Sequence, residues 1–523
     1  RMTRIALVLL LASSALAFYI PSQEEKEVAW SKLDVVKDFN DGVPAGYELV
    51  FVSPIWRHGD RGPTEPFAGD VLTEDDWTFG GGGYGELSPI GMGQHFNLGK
   101  KLYERYAENN QFLNARYKAK EIYARSTDKN RTLISAMSNF AGMYSRATAE
   151  NGTDYPGDVD GWPQTYVPIP IHTSNIRTDF SGAQDDVYCP RQDDLWDLAH
   201  QHPEYTHFDS MPRTQQTLQY LRDSTGSNAD QINFDNVYLI RGGMLCESIH
   251  FPDNFTEWYP WYTADVKQRV EEIDDQNIDF QDGIFASGNI ATGYGYDVDL
   301  TLEIPMIRGG ATINEVLDNA LGVLDCWATN NRGEHTRCTD ADHFLNNLKY
   351  YVISGHDTTI SAYLTVLEAK PYVLTSGGYP SYSAAIVTEF FIDRDSGDRK
   401  FRLLFHDDDS TDFRVITPFV SGCEMSMNFC SLEHFQALAA KYAPRGGMDQ
   451  LCNQRLGDPT TTTTKAPPPP PVSSSPSTTT TKKPDDNGQT TTTVPIIPTT
   501  TSSSPLLSFL SATSIVFFLN LLF

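Results

Sequence analysis

The sequence predicts an α/β fold with a mostly parallel sheet, helices on both faces and an antiparallel edge hairpin. Three segments run from an apolar strand through a polar turn into a helix, and such alternation indicates a parallel sheet. Later in the chain, VTEFFID and KFRLLF flank DRDSGDR, which indicates the hairpin. The stretch of about 155–315 is rich in Pro, Trp, Tyr and Asp with weak strand patterning, which predicts a largely helical or irregular cap.

The first two strand–turn–helix segments carry arginine in their turns. A strand over 47–56 ends in RHGDRGP, and a strand over 120–124 is followed by Arg125 and the cap-type residues 126–128. The helix after the second strand has apolar side chains at three- and four-residue spacing, which predicts a buried face. That predicted face consists of Leu133, Ile134, Met137, Phe140, Ala141 and Tyr144.

The third segment is a strand over 349–355, followed by His356 and Asp357 and then a helix. The helix has one apolar side, made of Ile360, Tyr363, Leu364 and Leu367. Ligands of parallel sheets bind beyond the C-terminal ends of the strands, where helix N-termini present free N–H groups. The three charged turns are therefore expected to meet at one edge of the sheet.

Both ends of the chain have the composition of processing or anchoring segments. Residues 1–17 combine a basic start, an apolar run and the triplet ALA, which predicts a signal peptide. Residues 459–505 are rich in Thr, Pro and Ser, which is typical of a glycosylated stalk. Residues 506–523 are uncharged and apolar, which indicates a membrane anchor or a lipid-anchor signal that is removed. The folded part, 18–458, is then expected in the secretory pathway, on the extracellular face of a membrane or in the lysosomal lumen.

The formal net charge of −28 argues against binding to nucleic acid and to anionic lipid. Because the protein as a whole would repel an anion, a local cluster of arginine calls for a specific explanation. Seven cysteines in a secreted chain indicate disulfides and one unpaired thiol. Asn130, Asn151 and Asn254 each begin an N-x-Thr sequon, which predicts glycosylation.

The charged turns contain every part that cleavage of a phosphate ester needs. A guanidinium group clamps phosphoryl oxygens well, because it donates two parallel hydrogen bonds and stays charged. His58 can attack phosphorus to form a phosphohistidine, and Asp357 can protonate the departing alkoxide. The candidate phosphate ligands are Arg57, Arg61, Arg125 and His356. Zinc is not expected, because the sequence has neither HExxH nor CxxC.

Each of these residues also has a purely structural interpretation. RHG by itself is more often a solvated turn, and Asp357 by itself is more often only a helix cap. Arg125 could pair with Asp128 or Glu121, and His356 could be a packed surface histidine. The functional interpretation is favoured because all of these groups fall at equivalent edges of one predicted sheet. The remaining histidines are interpreted as structural, including His95, His172 and His250.

The chain resembles the histidine acid phosphatases, in particular the lysosomal and prostatic enzymes of animals. The similar segments are RHGDRGP (57–63), LSPIGMGQHFNLGKKLYERY (87–106), IYARSTDKNRTLISAM (122–137), YCPRQDD (188–194), LCESIHFPDNFT (245–256), ISGHDTT (353–359) and GCEMSMNFCSLEHF (422–435). The resemblance implies a phosphoglycerate mutase-like sheet with a smaller, mostly helical cap domain, no metal or organic cofactor, and a possible homodimer. It implies His58 as nucleophile and Asp357 as proton donor. It implies Arg57, Arg61, Arg125 and His356 as phosphate ligands.

The same resemblance implies the disulfides Cys189–Cys452 and Cys423–Cys430. In the similar segment, alanine near Ala385 occupies the position that would pair with Cys246. Cys326 and Cys338 have no counterpart in the vertebrate pattern and are expected to bridge each other, which leaves Cys246 as the unpaired thiol.

The predicted function is an acid phosphatase that hydrolyses small phosphate monoesters through a phosphohistidine. The alternatives are a phytase or inositol-phosphate phosphatase, a mutase, and a non-catalytic surface glycoprotein. Release of inorganic phosphate separates a phosphatase from a mutase. The presence of both His58 and Asp357 argues against the non-catalytic alternative.

Overall fold

The computed structural model describes residues 25, 26, 28, 30, 43, 45–145, 149–163, 166–182, 185–286, 298–328, 347–374, 378–408, 410–424 and 427–457. The predicted signal peptide (1–17), stalk (459–505) and C-terminal anchor (506–523) lie outside these residues. Within the described ranges, no helix combines the length and hydropathy that crossing a bilayer needs.

Within the described residues, one mixed sheet of eight strands forms the centre of the fold. The strands are β1 (Tyr47–Arg57), β2 (Ile122–Ser126), β3 (His172–Thr173), β4 (Tyr350–Gly355), β5 (Ala385–Asp393), β6 (Arg399–His406), β7 (Arg414–Val415) and β8 (Cys430–Ser431). Their order is β3-β2-β4-β1-β5-β6-β7, and β8 also pairs with β6. The first four strands of this order are parallel, and the others pair antiparallel. The predicted fold class is confirmed, and the antiparallel part is wider than the hairpin alone.

Alternate side chains of the central strands enter two separate apolar cores. In β4, Tyr351 and Ile353 belong to one cluster, whereas Tyr350 and Val352 belong to the other. Successive side chains of a strand point to opposite faces of a sheet, so both faces are covered by packed elements. Each fully buried side chain of this size contributes roughly 1.5–3 kcal/mol of hydrophobic stabilisation.

Helices pack on both faces of the sheet. They are α1 (Pro89–Tyr103), α2 (Asn130–Met143), α3 (Pro190–Ala199), α4 (Pro203–Ser210), α5 (Pro212–Thr225), α6 (Tyr238–His250), α7 (Pro252–Trp258), α8 (Ala264–Gln281), α9 (Leu300–Ala328), α10 (Asp357–Val366), α11 (Lys370–Val373), α12 (Leu432–Lys441) and α13 (Met448–Asn453). A π-helical turn over Glu104–Asn109 continues α1. On one face α1 packs against α2, and elsewhere α9 packs against β1, α10 and α12.

The buried face of α2 differs from the predicted one. Met137, a predicted core residue, is 50% exposed. The buried side keeps the predicted Phe140 but also carries small and polar residues, among them Ser135, Ala136 and Gly142. The reason is a close helix contact, because a Cβ on Gly142 would lie only 1.9 Å from the carbonyl oxygen of Phe96 in α1. Backbones this close leave no room for large side chains.

The predicted cap region, about 155–315, is largely helical but does not separate cleanly from the sheet. Helices α3 to α8 lie within it. His172 and Thr173 pair with β2 and so extend the sheet, and α9 continues to Ala328 while packing against β1. Sequence composition could not reveal either feature, because both depend on contacts with distant strands.

Two disulfides are formed between cysteines of the described residues. One joins segments that are distant in the sequence, and the other closes a short loop. Cys189, just before α3, is bonded to Cys452 in α13, and Cys423 is bonded to Cys430. These are the pairings that the resemblance implies. Cys246 is a buried free thiol. Cys326 is disulfide-bonded, and its predicted partner Cys338 lies outside the described residues.

Two neighbouring carboxyl groups, the buried Glu247 of α6 and the half-buried Asp70, connect α6 to the loop after β1. Glu247 is 0% exposed, and burial raises its pKa to about 8, with the Asp70 carboxyl adding to the rise. Burial also raises the pKa of Asp70, and the Tyr259 hydroxyl donates to Asp70 Oδ1 at 3.3 Å. A raised pKa in the folded state means that the protonated pair stabilises the fold at acidic pH.

We expect the Glu247→Gln variant and the wild type to unfold at the same temperature near pH 4.5. Near pH 8 we expect the variant to unfold at a higher temperature than the wild type. Glutamine mimics the protonated acid, whereas the wild-type carboxyl must ionise in an apolar site as the pH rises through about 8. Thermal unfolding by circular dichroism at both pH values measures the difference. If the unfolding temperatures of the two proteins differed by the same amount at both pH values, this account would be contradicted.

Candidate active site

The motif RHGDR lies at the C-terminal end of β1, as predicted. Arg57 is the last residue of β1 and is paired with Gly355 of β4. The His58 N–H donates to the Gly355 carbonyl at 3.0 Å, and the His58 carbonyl accepts from the Ser383 N–H at 3.1 Å. The backbone of His58 is therefore held between β4 and the turn that precedes β5.

Gly59 lets the chain pass the first turn of α1 at very short range. A Cβ on Gly59 would lie 2.4 Å from the Gly91 carbonyl oxygen, which a side chain cannot tolerate. The Gly59 N–H donates to Ser135 Oγ in α2 at 3.1 Å. Glycine at this position thus allows the loop to bring His58 against the N-terminal ends of two helices.

The imidazole of His58 is buried and neutral. Its exposure is 2%, and burial, followed by the charges of Arg131, Arg57 and Arg61, holds its pKa well below the usual value. Nδ1 lies 2.8 Å from the Gly59 carbonyl oxygen. Because a carbonyl only accepts, Nδ1 carries the proton and the lone pair of the neutral ring is on Nε2.

Arg57 has three neighbours around a buried guanidinium group. Nη2 pairs with Asp357 Oδ2 at 2.8 Å, and Nη1 donates to the Pro380 carbonyl oxygen at 2.6 Å. The guanidinium carbon lies 4.3 Å from the centre of the Tyr382 ring, which is a cation–π contact. The ion pair brings together two residues that the sequence places 300 positions apart.

Asp357 and His356 stand at the N-terminal end of α10, directly after β4. The His356 N–H donates to Thr359 Oγ1 at 3.0 Å, and its Nε2 lies 2.9 Å from Thr127 Oγ1. The centres of the His356 and His58 rings are 5.6 Å apart. His356, rather than Asp357, is the cap residue, so Asp357 is not needed as the cap of this helix.

The surroundings of Asp357 favour its carboxylate form. Burial raises the pKa of Asp357, but the charges of Arg57 and Arg61 outweigh it and the net shift is downward. The pKa of His356 is lowered well below its usual value by burial and by Arg131. The site therefore has a neutral imidazole, a carboxylate and several permanent cations.

Asp60 is bound by side chains from other parts of the chain, whereas Arg61 donates to the backbone of its own loop. Asp60 is fully buried, and its Oδ2 accepts from Ser88 Oγ and lies 2.7 Å from His250 Nε2. Arg61 donates from Nη1 to the Gly62 carbonyl oxygen at 2.8 Å. His250 thus orients the motif through Asp60, which agrees with its structural interpretation.

Arg125 has a different environment from the one predicted for it. Its Nη2 lies 2.6 Å from Asp179 Oδ1, and its Nε lies 3.0 Å from Glu315 Oε1. These partners differ from Asp128 and Glu121, the alternative partners that the sequence suggested for Arg125. Because two carboxylates already neutralise the guanidinium group, it contributes little free positive charge to the cluster around His58.

Arg131, which sequence reasoning missed, lies in this cluster. It is the second residue of α2, and its charge is the largest charge effect on the pKa of both His58 and His356. Burial lowers its own pKa to about 10, and Arg61 contributes to the lowering. A signal was present in the sequence, because a cation in the first turn of a helix opposes the helix dipole unless an anion binds there.

Three buried guanidinium nitrogens point to an anion. Within the part of the chain that the structure describes, the Nε atoms of Arg57, Arg61 and Arg131 have no hydrogen-bond partner. The Nε atom of Arg125 also lacks a hydrogen bond, but it lies 3.0 Å from the Glu315 carboxylate. An unsatisfied buried N–H costs about 1–3 kcal/mol. A phosphoryl group, which offers several acceptor oxygens and negative charge, is a ligand that would satisfy all three.

The remaining predicted residues lie away from this cluster or support it indirectly. His95 Nε2 lies 2.9 Å from the Arg57 carbonyl oxygen, and His172 is exposed and stacks on Tyr123. The sequon residues Asn130, Asn151 and Asn254 are all exposed. Among the described residues, no group of three or more His, Cys, Asp or Glu side chains has an arrangement that could hold a metal ion.

The similarity of the chain to known proteins extends over most of the folded part. "Putative acid phosphatase 10" of Caenorhabditis elegans is 32% identical over 411 residues, which are 78% of this chain and 94% of that protein. The lysosomal acid phosphatase of Xenopus laevis is 29% identical over 392 residues, 75% of this chain and 76% of that protein. The Klebsiella sp. ASR1 phytase structure shares the fold, with a TM-score of 0.50, 16% identity, and coverage of 76% of this chain and 98% of that one.

The family model described as the histidine phosphatase superfamily, branch 2, matches residues 48–406. This range begins in β1, one residue after its start, and ends with β6. It therefore includes the strand ends and helix starts that carry His58, Arg131 and Asp357. The chain belongs to the histidine phosphatase superfamily, branch 2.

Proposed function

We propose that the protein is an acid phosphatase that hydrolyses phosphate monoesters through a phosphohistidine formed at His58. The observation that carries the proposal is the neutral, buried imidazole of His58 beside Asp357 and three buried arginine Nε atoms that lack partners within the described residues. The membership of the superfamily and the acid phosphatase relatives support it.

In the first step, Nε2 of His58 attacks phosphorus with its lone pair, and the bond from phosphorus to the ester oxygen breaks. Protonated Asp357 gives its proton to that oxygen, so an alcohol leaves rather than an alkoxide. Arg57, Arg61 and Arg131 donate to the phosphoryl oxygens as charge redistributes. The Gly59 carbonyl accepts from Nδ1–H and stabilises the positive ring that results.

In the second step, water attacks the phosphohistidine and the phosphorus–nitrogen bond breaks. The electron pair of that bond returns to Nε2 of His58. The Asp357 carboxylate accepts the proton of the attacking water and releases it when phosphate leaves. The products are inorganic phosphate and a regenerated enzyme, so neither metal nor organic cofactor is required by this sequence of steps.

The proton on Asp357 arrives with the substrate. In the free protein the arginines hold the pKa of Asp357 low. A bound phosphate takes up part of their positive charge, so the Asp357 pKa rises on binding. A phosphate ester that binds as a monoanion can transfer its remaining proton to the Asp357 carboxylate. The ester is then a dianion, and Asp357 is a carboxylic acid.

We expect kcat/KM to fall as the pH rises above about 6, the second pKa of a phosphate ester. Above that pH the proton that Asp357 must deliver is lost to solvent. The lowered pKa of His58 favours its neutral, nucleophilic form at more acidic pH than for an ordinary histidine. The test measures phosphate released from p-nitrophenyl phosphate and from an alkyl phosphate between pH 4 and pH 8. A flat profile would contradict the proposed acid.

Arg131 is proposed as the third phosphate-binding arginine in place of Arg125. We expect Arg131→Ala to lower kcat/KM by about 10²–10³-fold, because a buried donor to the transition state is removed. Arg125→Ala is the matched comparison, and we expect a smaller loss because its charge is shared with Asp179 and Glu315. Equal losses in the two variants, measured with the same substrate, would reject this assignment.

A phytase-like function is the second candidate. The Klebsiella phytase structure shares the fold, which at 16% identity supports no statement about substrate. The assay that separates the candidates compares phosphate release from inositol hexakisphosphate with release from simple monoesters, using residues 18–458. Predominant release from inositol hexakisphosphate would favour the phytase.

We also propose that the folded part works in a secretory or lysosomal compartment, where its disulfides would persist. The lysosomal acid phosphatase relative supports this setting. Cleavage after residue 17, glycans on Asn130, Asn151 and Asn254, and attachment to a membrane through 506–523 are parts of this proposal. Fractionation of cells that express the full chain, before and after removal of lipid anchors, tests the attachment.

A further inference from the structure

The turn before β5 forms a wall of the site behind Arg57 and His58. The Pro380 carbonyl accepts from Arg57 Nη1 at 2.6 Å, and the Ser383 N–H donates to the His58 carbonyl at 3.1 Å. Between these two contacts, Tyr382 places its ring centre 4.3 Å from the Arg57 guanidinium carbon. The centres of the Tyr382 and His58 rings are 6.0 Å apart.

The conformation of this turn is imposed by its surroundings. Ser383 has a φ of 62°, in the left-handed region that non-glycine residues seldom adopt. It is also 0% exposed, and its Oγ has no hydrogen-bond partner within the described ranges. A buried residue persists in such a conformation where other contacts determine it, and this is a common feature of functional sites.

The hydroxyl of Tyr382 reaches a second arginine of the cluster through a thiol. It lies 3.5 Å from Cys246 Sγ, and Arg61 Nη1 donates to the same sulfur at 3.9 Å. Cys246 is 0% exposed, and burial raises the pKa of its thiol, which therefore stays neutral. The unpaired cysteine thus fills the space between Tyr382 and Arg61.

We propose that Tyr382 is a positioning residue that holds two phosphate-binding arginines at a defined separation, Arg57 through its ring and Arg61 through Cys246. This inference rests on the proposed function. The ring covers the flat face of the Arg57 guanidinium group, so the N–H groups at the edge of that group remain directed within its plane. The Nε atoms of Arg57 and Arg61, which lack hydrogen-bond partners among the described residues, then remain available to an anion.

The test uses Tyr382→Leu, Tyr382→Phe, Cys246→Ala and the double variant Tyr382→Phe/Cys246→Ala in the otherwise intact protein. The readouts are kcat and KM for p-nitrophenyl phosphate and the inhibition constant of inorganic phosphate. For Tyr382→Leu, which removes the ring, we expect phosphate to inhibit about tenfold more weakly. Tyr382→Phe keeps the ring, so Arg57 remains covered and the loss is expected to be about two- to threefold.

The double-mutant cycle tests the path through the thiol. Cys246→Ala is expected to weaken phosphate inhibition as much as Tyr382→Phe does, and the double variant is expected to be no worse than either single variant. Full additivity of the two effects would overturn the link to Arg61. If Tyr382→Leu does not fold, this cycle still decides that link, because neither of its substitutions removes the ring.

Tyr363→Phe is the matched control. Its hydroxyl is also buried and lies 2.9 Å from Thr388 Oγ1, away from the arginines. We expect this variant to lose stability but to keep the wild-type inhibition constant of phosphate. A folded Tyr382→Leu protein that also keeps that constant would overturn the positioning role, whereas activity that survives His58→Ala would overturn the proposed function instead.

Discussion

Replacing His58 with alanine is expected to lower kcat by about 10⁵-fold, because the variant has no nucleophile at phosphorus. Alanine removes the lone pair on Nε2 that the surroundings keep unprotonated. Folding should survive, since the backbone hydrogen bonds of this residue to Gly355 and Ser383 do not involve the imidazole. The measurement is release of p-nitrophenol at acidic pH, together with the unfolding temperature.

The control is His172→Ala, which removes an exposed histidine elsewhere on the sheet. This variant is expected to keep the wild-type rate. A second readout identifies the intermediate, because a phosphohistidine is expected to be trapped on wild type after a rapid quench and to be absent from His58→Ala. Turnover by His58→Ala at the wild-type rate would disprove the assignment of the nucleophile.

Asp357→Asn is expected to lower kcat by about 10²–10⁴-fold for an alkyl phosphate, because the departing alkoxide then receives no proton. The loss should be much smaller for p-nitrophenyl phosphate, since p-nitrophenolate is a weak base and leaves without help. Asparagine can still accept the hydrogen bond from the Thr358 N–H that Asp357 Oδ1 accepts at 2.8 Å. The comparison of two leaving groups in one protein therefore separates lost proton transfer from general damage.

Asp128→Asn serves as the control, because Asp128 is an exposed carboxylate in the neighbouring turn. It should affect both substrates little. If Asp357→Asn slowed the two substrates by the same factor, Asp357 would position Arg57 through their ion pair and would not be the acid. The dependence of kcat on pH adds to the comparison, because the decline at higher pH should disappear with the carboxyl group.

Local sequence patterns located β1, β4 and the hairpin of β5 and β6, and they placed β2 two residues too early. The C-terminal ends of β1, β2 and β4, with the residues just after them, carry the charged groups that were expected to meet. Arg57 and Asp357 form an ion pair, and the ring centres of His58 and His356 are 5.6 Å apart. Parallel pairing explains this success, because adjacent strand ends in one sheet must share an edge.

Side-chain partners were not predictable in the same way. The apolar spacing in α2 predicted the buried face only in part. Phe140 is buried as predicted, but Met137 is exposed, and close approach of the α1 backbone selects small residues at the contact. The sequence pattern selected Arg125, because it directly follows an apolar strand, and Arg131 was not considered. Neither the exposed part of α2 nor the ion pairs of Arg125 could be predicted without knowing which distant residues pack against α2 and β2.

By itself, the sequence determined the chemical groups available to this protein and the end of the sheet at which they lie. Only the tertiary structure decided which arginine side chains are paired with carboxylates of the protein and which are available to bind an anion. Asp179 and Glu315 come from distant parts of the chain to pair with Arg125, whereas Arg131 is buried beside Arg61, which helps to lower its pKa. The physical reason is that the charge available from a guanidinium group depends on its neighbours in space, and those neighbours are set by packing over the whole fold.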